Sequence, residues 1–275
     1  MPERITPEAA WETVLLARHQ DRPQTLDYIA HALPDFLELS GDRLHGDDKA
    51  VIGGFATLEN TPIILIGHQK GRTLKDRQER SFGMARPEGY RKAMRLARIG
   101  EKFGLPVVTL VDTPGAYPGK DAEEGGQAGA IARSIETFAG LGVPTVTVVI
   151  GEGGSGGALA LAVADRVMML ENSIYSVISP EGCAALVWRD SAEAARAAAA
   201  LRVGAKGLFD LGLIDVLIPE PKGGAHLDHP LMARRVMHEV QLALRDLMPL
   251  DPDERLRLRQ QKYTKMGRYA TDSSR

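Results

Sequence analysis

Residues 145–161 read TVTVVIGEGGSGGALAL. The first six residues form an apolar run of strand length, and Gly151 ends it. A helix is expected from about Ser155 to Ala164. Between the two elements lie Gly151, Gly153, Gly154, Gly156 and Gly157, five glycines in seven residues. A tight strand-to-helix turn needs only one. Glycine lets a backbone turn sharply and lets another backbone or a ligand come close. The first amides of the following helix lack intrahelical acceptors and carry partial positive charge, which suits an anion or oxyanion.

The same alternation extends in both directions. Upstream, VVTLV at 107–111 is a buried strand, and helices are expected from Pro87 to Phe103 and from 122 to 141. Gly104 and Gly142 stop these helices. Two earlier strands, 51–58 and 62–67, join at Glu59-Asn60. Downstream, strands are expected at 167–170, 174–178 and 215–218. Ser179-Pro180-Glu181 opens a helix with a capping hydroxyl, an N1 proline and an early acid. Further helices are expected over 191–202, 204–211 and 230–247. The chain starts with helices over 6–18 and 26–33. Strands alternating with helices imply an α/β layered fold with parallel pairing. One domain is expected: a helical arm over 1–45, a core over 46–250 and a polar tail over 251–275.

Composition narrows the function. The chain has 275 residues, 34 Lys+Arg against 36 Asp+Glu, and a net charge of −2. Such balance argues against a polyanion-binding domain. The one cysteine, Cys183, excludes an intrachain disulfide and a cysteine-rich zinc site, and is expected to be buried. The start, MPERITPEAAW, has no apolar signal core, and no stretch approaches the ~20 apolar residues of a membrane span. A cytoplasmic protein is expected. Glycine is the outlier, with 29 residues, or about one in ten against a usual ~7%.

The cluster at 150–161 admits several readings. Gly151-x-Gly153-x-x-Gly156, with Glu171 downstream, spells a dinucleotide fingerprint. Gly153-x-Ser155-x-Gly157 spells a nucleophile elbow, with Asp215 and His226 following in hydrolase order. A third reading is an oxyanion hole built from backbone amides. A second cluster, VDTPGAYPG at 111–119, follows strand 107–111 at the end where open α/β sheets place ligands. Asp112 there suits a turn-stabilising role. Two glycine loops on neighbouring strands would surround one crevice. The basic segment 68–80, with Lys70 and Arg72, reads either as a solvated loop or as an attractor of acidic partners. Glu152 and Glu181 read as capping or interface charges, and His226 as a loop hydrogen-bonder.

Several longer stretches carry a resemblance. They include GHQKGR (67–72), PEGYRKA (87–93), DTPGAYPG (112–119), IGEGGSGGALA (150–160), YSVISPEGCA (175–184), LIDVLIPEP (213–221) and GGAH (223–226). Together the matches span about 5 to 227. The chain resembles the alpha subunits of bacterial acetyl-CoA carboxylase carboxyltransferases, of the crotonase-like superfamily, without that family's N-terminal helical extension. The resemblance implies a crotonase/ClpP-like spiral of ββα units with an N-terminal helical arm and C-terminal helices.

It further implies half an enzyme for fatty acid synthesis. Such a subunit pairs with a beta subunit of the same fold, which supplies acetyl-CoA and a zinc ribbon, in an alpha-2 beta-2 assembly. With the biotin carboxyl carrier protein and biotin carboxylase, the pair moves CO2 from carboxybiotin to acetyl-CoA and yields malonyl-CoA. No Met-Lys-Met occurs, so biotin is not attached here. No metal is expected in this chain. Glycine spacing and resemblance together nominate the amides of Gly156 and Gly157 for the biotin oxygen. Gly115 and Ala116 would line the opposite wall, with Gly153 and Gly154 beside the cofactor. Lys70 and Arg72 are weaker candidates for substrate binding. A serine hydrolase using Ser155 and a non-catalytic scaffold of the same fold are the alternatives.

Overall fold

The computed structural model describes residues 5–267. Residues 1–4 of the expected arm and 268–275 of the expected tail lie outside the described residues. Helix α1 (Pro7–Ala17) is capped by Thr6, and α2 (Thr25–Ala32) starts with a capping box between Gln24 and Asp27. A short β1 (Leu37–Glu38), not anticipated above, pairs with β2 (Val51–Leu58), which forms a hairpin with β3 (Thr61–His68). The segment after β3 is no solvated loop. His68 and Gln69 are buried, and α3 (Leu74–Glu79) follows.

Helix α4 (Pro87–Phe103) starts on a proline and ends at Gly104, whose φ of 68° makes it the left-handed cap. β4 (Val107–Thr113) is buried along its whole length. The single helix expected over 122–141 is two, α5 (Lys120–Glu124) and α6 (Gln127–Gly140). The break falls at Gly126, whose φ of 84° cannot continue a right-handed helix. β5 (Thr145–Gly154) runs four residues further than its apolar run, straight through the first glycines. α7 (Ser155–Ala162), β6 (Arg166–Leu170), β7 (Ile174–Ser176) and α8 (Pro180–Trp188) follow. α9 (Ala194–Leu201) is preceded by a 3-10 turn at Ser191–Glu193, so the helix expected from 191 starts late. α10 (Ala205–Asp210), β8 (Val216–Ile218) and α11 (His229–Leu247) complete the core.

The strand order is β1-β2-β3-β4-β5-β6-β8, with β7 pairing only to the glycine end of β5. β3, β4, β5, β6 and β8 are parallel, as the alternation predicts. In chain order β2–β3–α4 and β6–β7–α8 each run strand, strand, helix, with β4, α5, α6, β5 and α7 between them. Apolar side chains pack on both faces of the sheet. Leu96, Phe138 and Leu161 belong to the face under α4, α6 and α7. Tyr28, Met232 and Val236 belong to the face under α2 and α11.

The polar tail, expected to be helical or disordered, contains a docked helix, α12 (Pro252–Thr264). Its Arg259 side chain is 1% exposed. The guanidinium grips Asp165 with two bonds of 2.8 Å and donates to the carbonyls of Phe138 and Leu141, at the end of α6. Those carbonyls have no intrahelical donor, so the arginine completes the helix end. Arg255 likewise donates to the carbonyls of Gly142 and Leu250. Removing one partner of a buried ion pair costs about 3–5 kcal/mol. Arg259→Ala should therefore lower stability by that amount in urea unfolding. Arg257→Ala, an exposed change on the same helix, should alter it by under ~1 kcal/mol.

Candidate functional site

β4 and β5 are adjacent and parallel, so their following loops leave the same edge of the sheet. There the two glycine loops touch. A Cβ on Gly157 would stand 2.5 Å from the Ala116 nitrogen and 2.6 Å from the Gly115 carbonyl carbon. One on Gly154 would overlap the Pro114 carbonyl. One on Gly153 would meet the Tyr175 ring at 2.7 Å, and one on Gly151 would enter the Asp112 carboxylate. Four of the five glycines in this cluster are thus needed for close packing within the chain. Gly156 differs: its nearest neighbour would be Ile131, at 3.6 Å. Sterics inside the chain do not demand a glycine there.

Backbone donors do collect at this edge. The Ala116 N–H has no acceptor among the described residues, whereas Gly115 N–H is held by Thr113 Oγ1 at 3.1 Å. Gly156 and Gly157 lie in the first turn of α7, where helical geometry provides no acceptor. Gly153 and Gly154 pair with β7. Of the nominated residues, Ala116, Gly156 and Gly157 therefore present donors, and Gly115, Gly153 and Gly154 shape the wall.

Beneath the loops lies a charge cluster that the sequence did not reveal. Lys70 Nζ bridges Asp112 at 2.7 Å and Glu152 at 2.8 Å. Glu152 also takes Arg18 Nε at 2.6 Å, and Arg18 continues to Glu181 at 2.5 Å. Asp112 closes the ring by accepting from Glu152 N at 2.9 Å. The two acids are thereby corrected from turn, cap or interface roles to partners in one buried network. Arg72 is held by Asp27 and by the carbonyls of Gln20 and Arg22. Lys70 borders the site and Arg72 does not reach the glycine loops, and both cations are already matched within the chain.

A cavity of about 240 Å³ opens beside the network, lined by Arg18, Gln24, Lys70, Phe82, Asp112, Pro114 and Glu152. It meets a cleft of about 60 Å³ lined by Pro114, Gly154, Ser155, Ile178 and Ser179. Phe82, with a left-handed φ of 56°, is 43% exposed at the cavity wall.

The rival motifs do not assemble. Ser155 has the left-handed φ of 49° that an elbow would need. However, Asp215 is engaged by Val167 N and Lys262, and the His226 ring stacks on His19 at 3.7 Å. Glu171 accepts from Glu220 N, on the turn after β6. Cys183, expected to be buried, is partly exposed. It sits in the first turn of α8, whose buried positions are Pro180 and Ala184.

Burial alone would raise the pKa of Glu152, but Lys70 and Arg18 outweigh it and hold the carboxyl below its ordinary value near 4.5. Stability from this group is present above that ordinary value and is lost as pH falls through the depressed one. A hydrogen bond to a charged group contributes about 1.5–3 kcal/mol. Glu152→Gln should be destabilised by about that much at pH 7. The melting-temperature gap to the unaltered chain should close as pH drops below about 4.5. A gap that stays constant would refute the network's charge.

The sequence pattern of the "Acetyl co-enzyme A carboxylase carboxyltransferase-like" family matches residues 4–267. A curated relative from Geobacter metallireducens, named acetyl-coenzyme A carboxylase carboxyl transferase subunit alpha, is 54% identical over 260 residues, covering 94% of this chain and 82% of that protein. A Thermus thermophilus subunit of the same name is 52% identical over 98% of this chain and 84% of its own length. Among solved structures, a transcarboxylase 12S chain superposes with a TM-score of 0.67 at 20% identity, over 94% of this chain. This chain spans 46% of that larger one. A subunit of a Pseudomonas malonate decarboxylase hetero-tetramer, solved with coenzyme A, gives 0.66 at 19% identity, over 85% of this chain and 91% of its own. At such identities the structural likenesses speak for the fold alone, and they agree with the crotonase-like fold expected above. Taken with the sequence matches, they place this chain in the family of acetyl-CoA carboxylase carboxyltransferase alpha subunits.

Proposed function

We propose that this chain is the alpha half of an acetyl-CoA carboxylase carboxyltransferase. Paired with a beta subunit, it would transfer CO2 from carboxybiotin on a carrier protein to acetyl-CoA and so form malonyl-CoA. The observation that carries this reading is the contact of the two glycine loops. It brings the backbone of Ala116, whose N–H has no acceptor among the described residues, against Gly157 in the first turn of α7. When bound, carboxybiotin supplies the carboxyl group and a nitrogen that can take the acetyl methyl proton: one C–N bond is exchanged for one C–C bond, with no oxidant or reductant.

This chain's residues need only bind and polarise. The donors fit a ureido or thioester oxygen that gains negative charge, because rigid amides need no reorganisation as that charge develops. The open space over Gly156 suits a flat ring lying against the backbone. A beta partner completing the site, the biotin carrier and an alpha-2 beta-2 assembly belong to this reading. So do a zinc ribbon on the partner and a cytoplasmic location. Among the described residues no helix is long and apolar enough to cross a membrane.

Malonyl-CoA-to-biotin carboxyl transfer, measured on the chain co-expressed with its beta partner, tests the proposal. Gly156→Val should keep its melting temperature and lose about 10²–10³-fold in kcat, because its side chain fills the space over the amides and denies them the oxygen, at a cost like that of one lost oxyanion-hole donor. Gly157→Val should instead unfold or fail to assemble, since its side chain would enter the 112–119 loop. Ser155→Ala should retain most activity, which a serine hydrolase could not. Full transfer by a folded Gly156→Val complex would overturn the assignment.

A further inference from the structure

α4 carries a cationic stripe on the side turned from its apolar face. Arg91, Arg95, Arg98 and Lys102 follow at spacings of four, three and four, which keeps them on one side of a helix. The row extends about 16 Å at 1.5 Å per residue. It forms one wall of a groove of about 750 Å³ between α4 and α6, and Arg43 and Arg133 close it. Six cations and a single carboxylate, Asp42, line this groove. Its volume lies in the ~300–1,000 Å³ range of small-molecule sites.

The carboxylate is already committed. Asp42 takes Arg91 Nε at 2.7 Å and the amides of Leu44, His45 and Gly46. Arg43, Arg95, Arg98, Lys102 and Arg133 have no carboxylate partner among the described residues. Arg98 reaches only Thr137, at 3.3 Å. Arg95 donates to the carbonyls of Leu39, Ser40 and Gly41, and burial and then the neighbouring Arg43 push its guanidinium below its ordinary pKa against the opposing pull of Asp47 and Asp42. Several cations elsewhere, among them Lys70, Arg72, Arg80 and Arg259, are each matched by a carboxylate. Leu44, Met94, Ile99 and Ala130 complete the lining, which is open at two glycines: a Cβ on Gly126 or on Gly129 would meet nothing within 4 Å.

We propose that this groove binds a small anion carrying two or more phosphates. Guanidinium forks match phosphate oxygens in pairs, and bare glycines allow a phosphate to approach the main chain. The stripe is too long for one phosphate and is walled on both sides, which suits a compact polyphosphate. The site is separate from the glycine loops. Ile131 of α6 faces Gly156, whereas Gly129, Ala130 and Arg133 of the same helix line the groove.

Titration calorimetry on the intact chain, with inorganic pyrophosphate and with a nucleoside triphosphate, tests this. Saturable one-to-one binding is expected, weakened at least about 50-fold in Arg98→Glu/Arg133→Glu, which loses two charge-assisted contacts. Arg98→Gln/Arg133→Gln, in which no new charge is introduced, should show a smaller loss in the same direction. The remote pair Lys222→Glu/Arg234→Glu, of equal charge change, should bind as the unaltered chain does. Equal affinity for both probes would mean that phosphates alone are read, and tighter nucleotide binding that the base or sugar adds contacts; both sustain the site. Absence of saturable binding, equal loss in the remote pair, or displacement by polyglutamate at lower charge concentration than by pyrophosphate would overturn it. The last result would assign the groove to an acidic protein surface.

Discussion

Two backbones in contact set the geometry of this molecule's site. The loops after β4 and β5 meet at Gly154 against Pro114 and at Gly157 against Ala116, with no Cβ in between. Strands in a sheet are about 4.8 Å apart. Loops that continue at that spacing beyond the last ladder bond can stay together only if side chains are absent between them. β4 adjusts with a register shift between Val111 and Thr113, which brings Thr113 opposite Gly153. The N–H groups that remain without acceptors at this junction are held by the sheet itself. Their positions depend on strand pairing and not on mobile side-chain rotamers.

A buried charge network supports the junction from below. Gly151 has no side chain, and the Asp112 carboxylate fills the space that one would occupy. From there Asp112 receives the Glu152 amide and the Lys70 ammonium. Lys70 arrives from the end of β3, and Arg18 from the end of α1. The helical arm is therefore tied to the site through Arg18, which also reaches Glu181 at the start of α8. At the far end of β5, Arg259 and Asp165 do comparable work, joining α12, the end of α6 and the start of β6. A single strand thus has an ionic clamp at each end.

Periodicity made the sheet and its helices legible. Apolar runs at 107–111 and 145–150 became buried parallel strands, and Gly104 ended α4 as its position suggested. Local pattern could also find the glycine loops and place them side by side. It could not tell packing glycines from open ones, because that depends on which atoms lie across the gap. Gly156 and Gly157 are adjacent in sequence, yet one faces space and the other faces the Ala116 nitrogen. The network was illegible for a similar reason. Arg18 lies 134 residues from Glu152, and nothing around either residue signals the pairing. The docking of α12 escaped because its buried positions are arginines, which composition reads as solvated.

The network also explains why no acid–base pair stands out at this site. Strong pKa shifts near a crevice commonly mark a group tuned toward neutrality for proton transfer. Here the shifts run the other way. Burial favours neutral Lys70 and neutral Glu152, but each is overruled by its partners, so Lys70 is held charged above its ordinary value and Glu152 ionised below its own. His68, next to Lys70 in sequence, is pushed down to about 3 by burial and by Lys70. Around neutral pH these three groups are fixed in charge. Fixed charges and fixed amides can stabilise developing charge, and none of these three groups is poised to exchange a proton near neutral pH. The charge network and the abundance of glycine are then one design: the backbone does the polarising, and the ions keep the backbone in place.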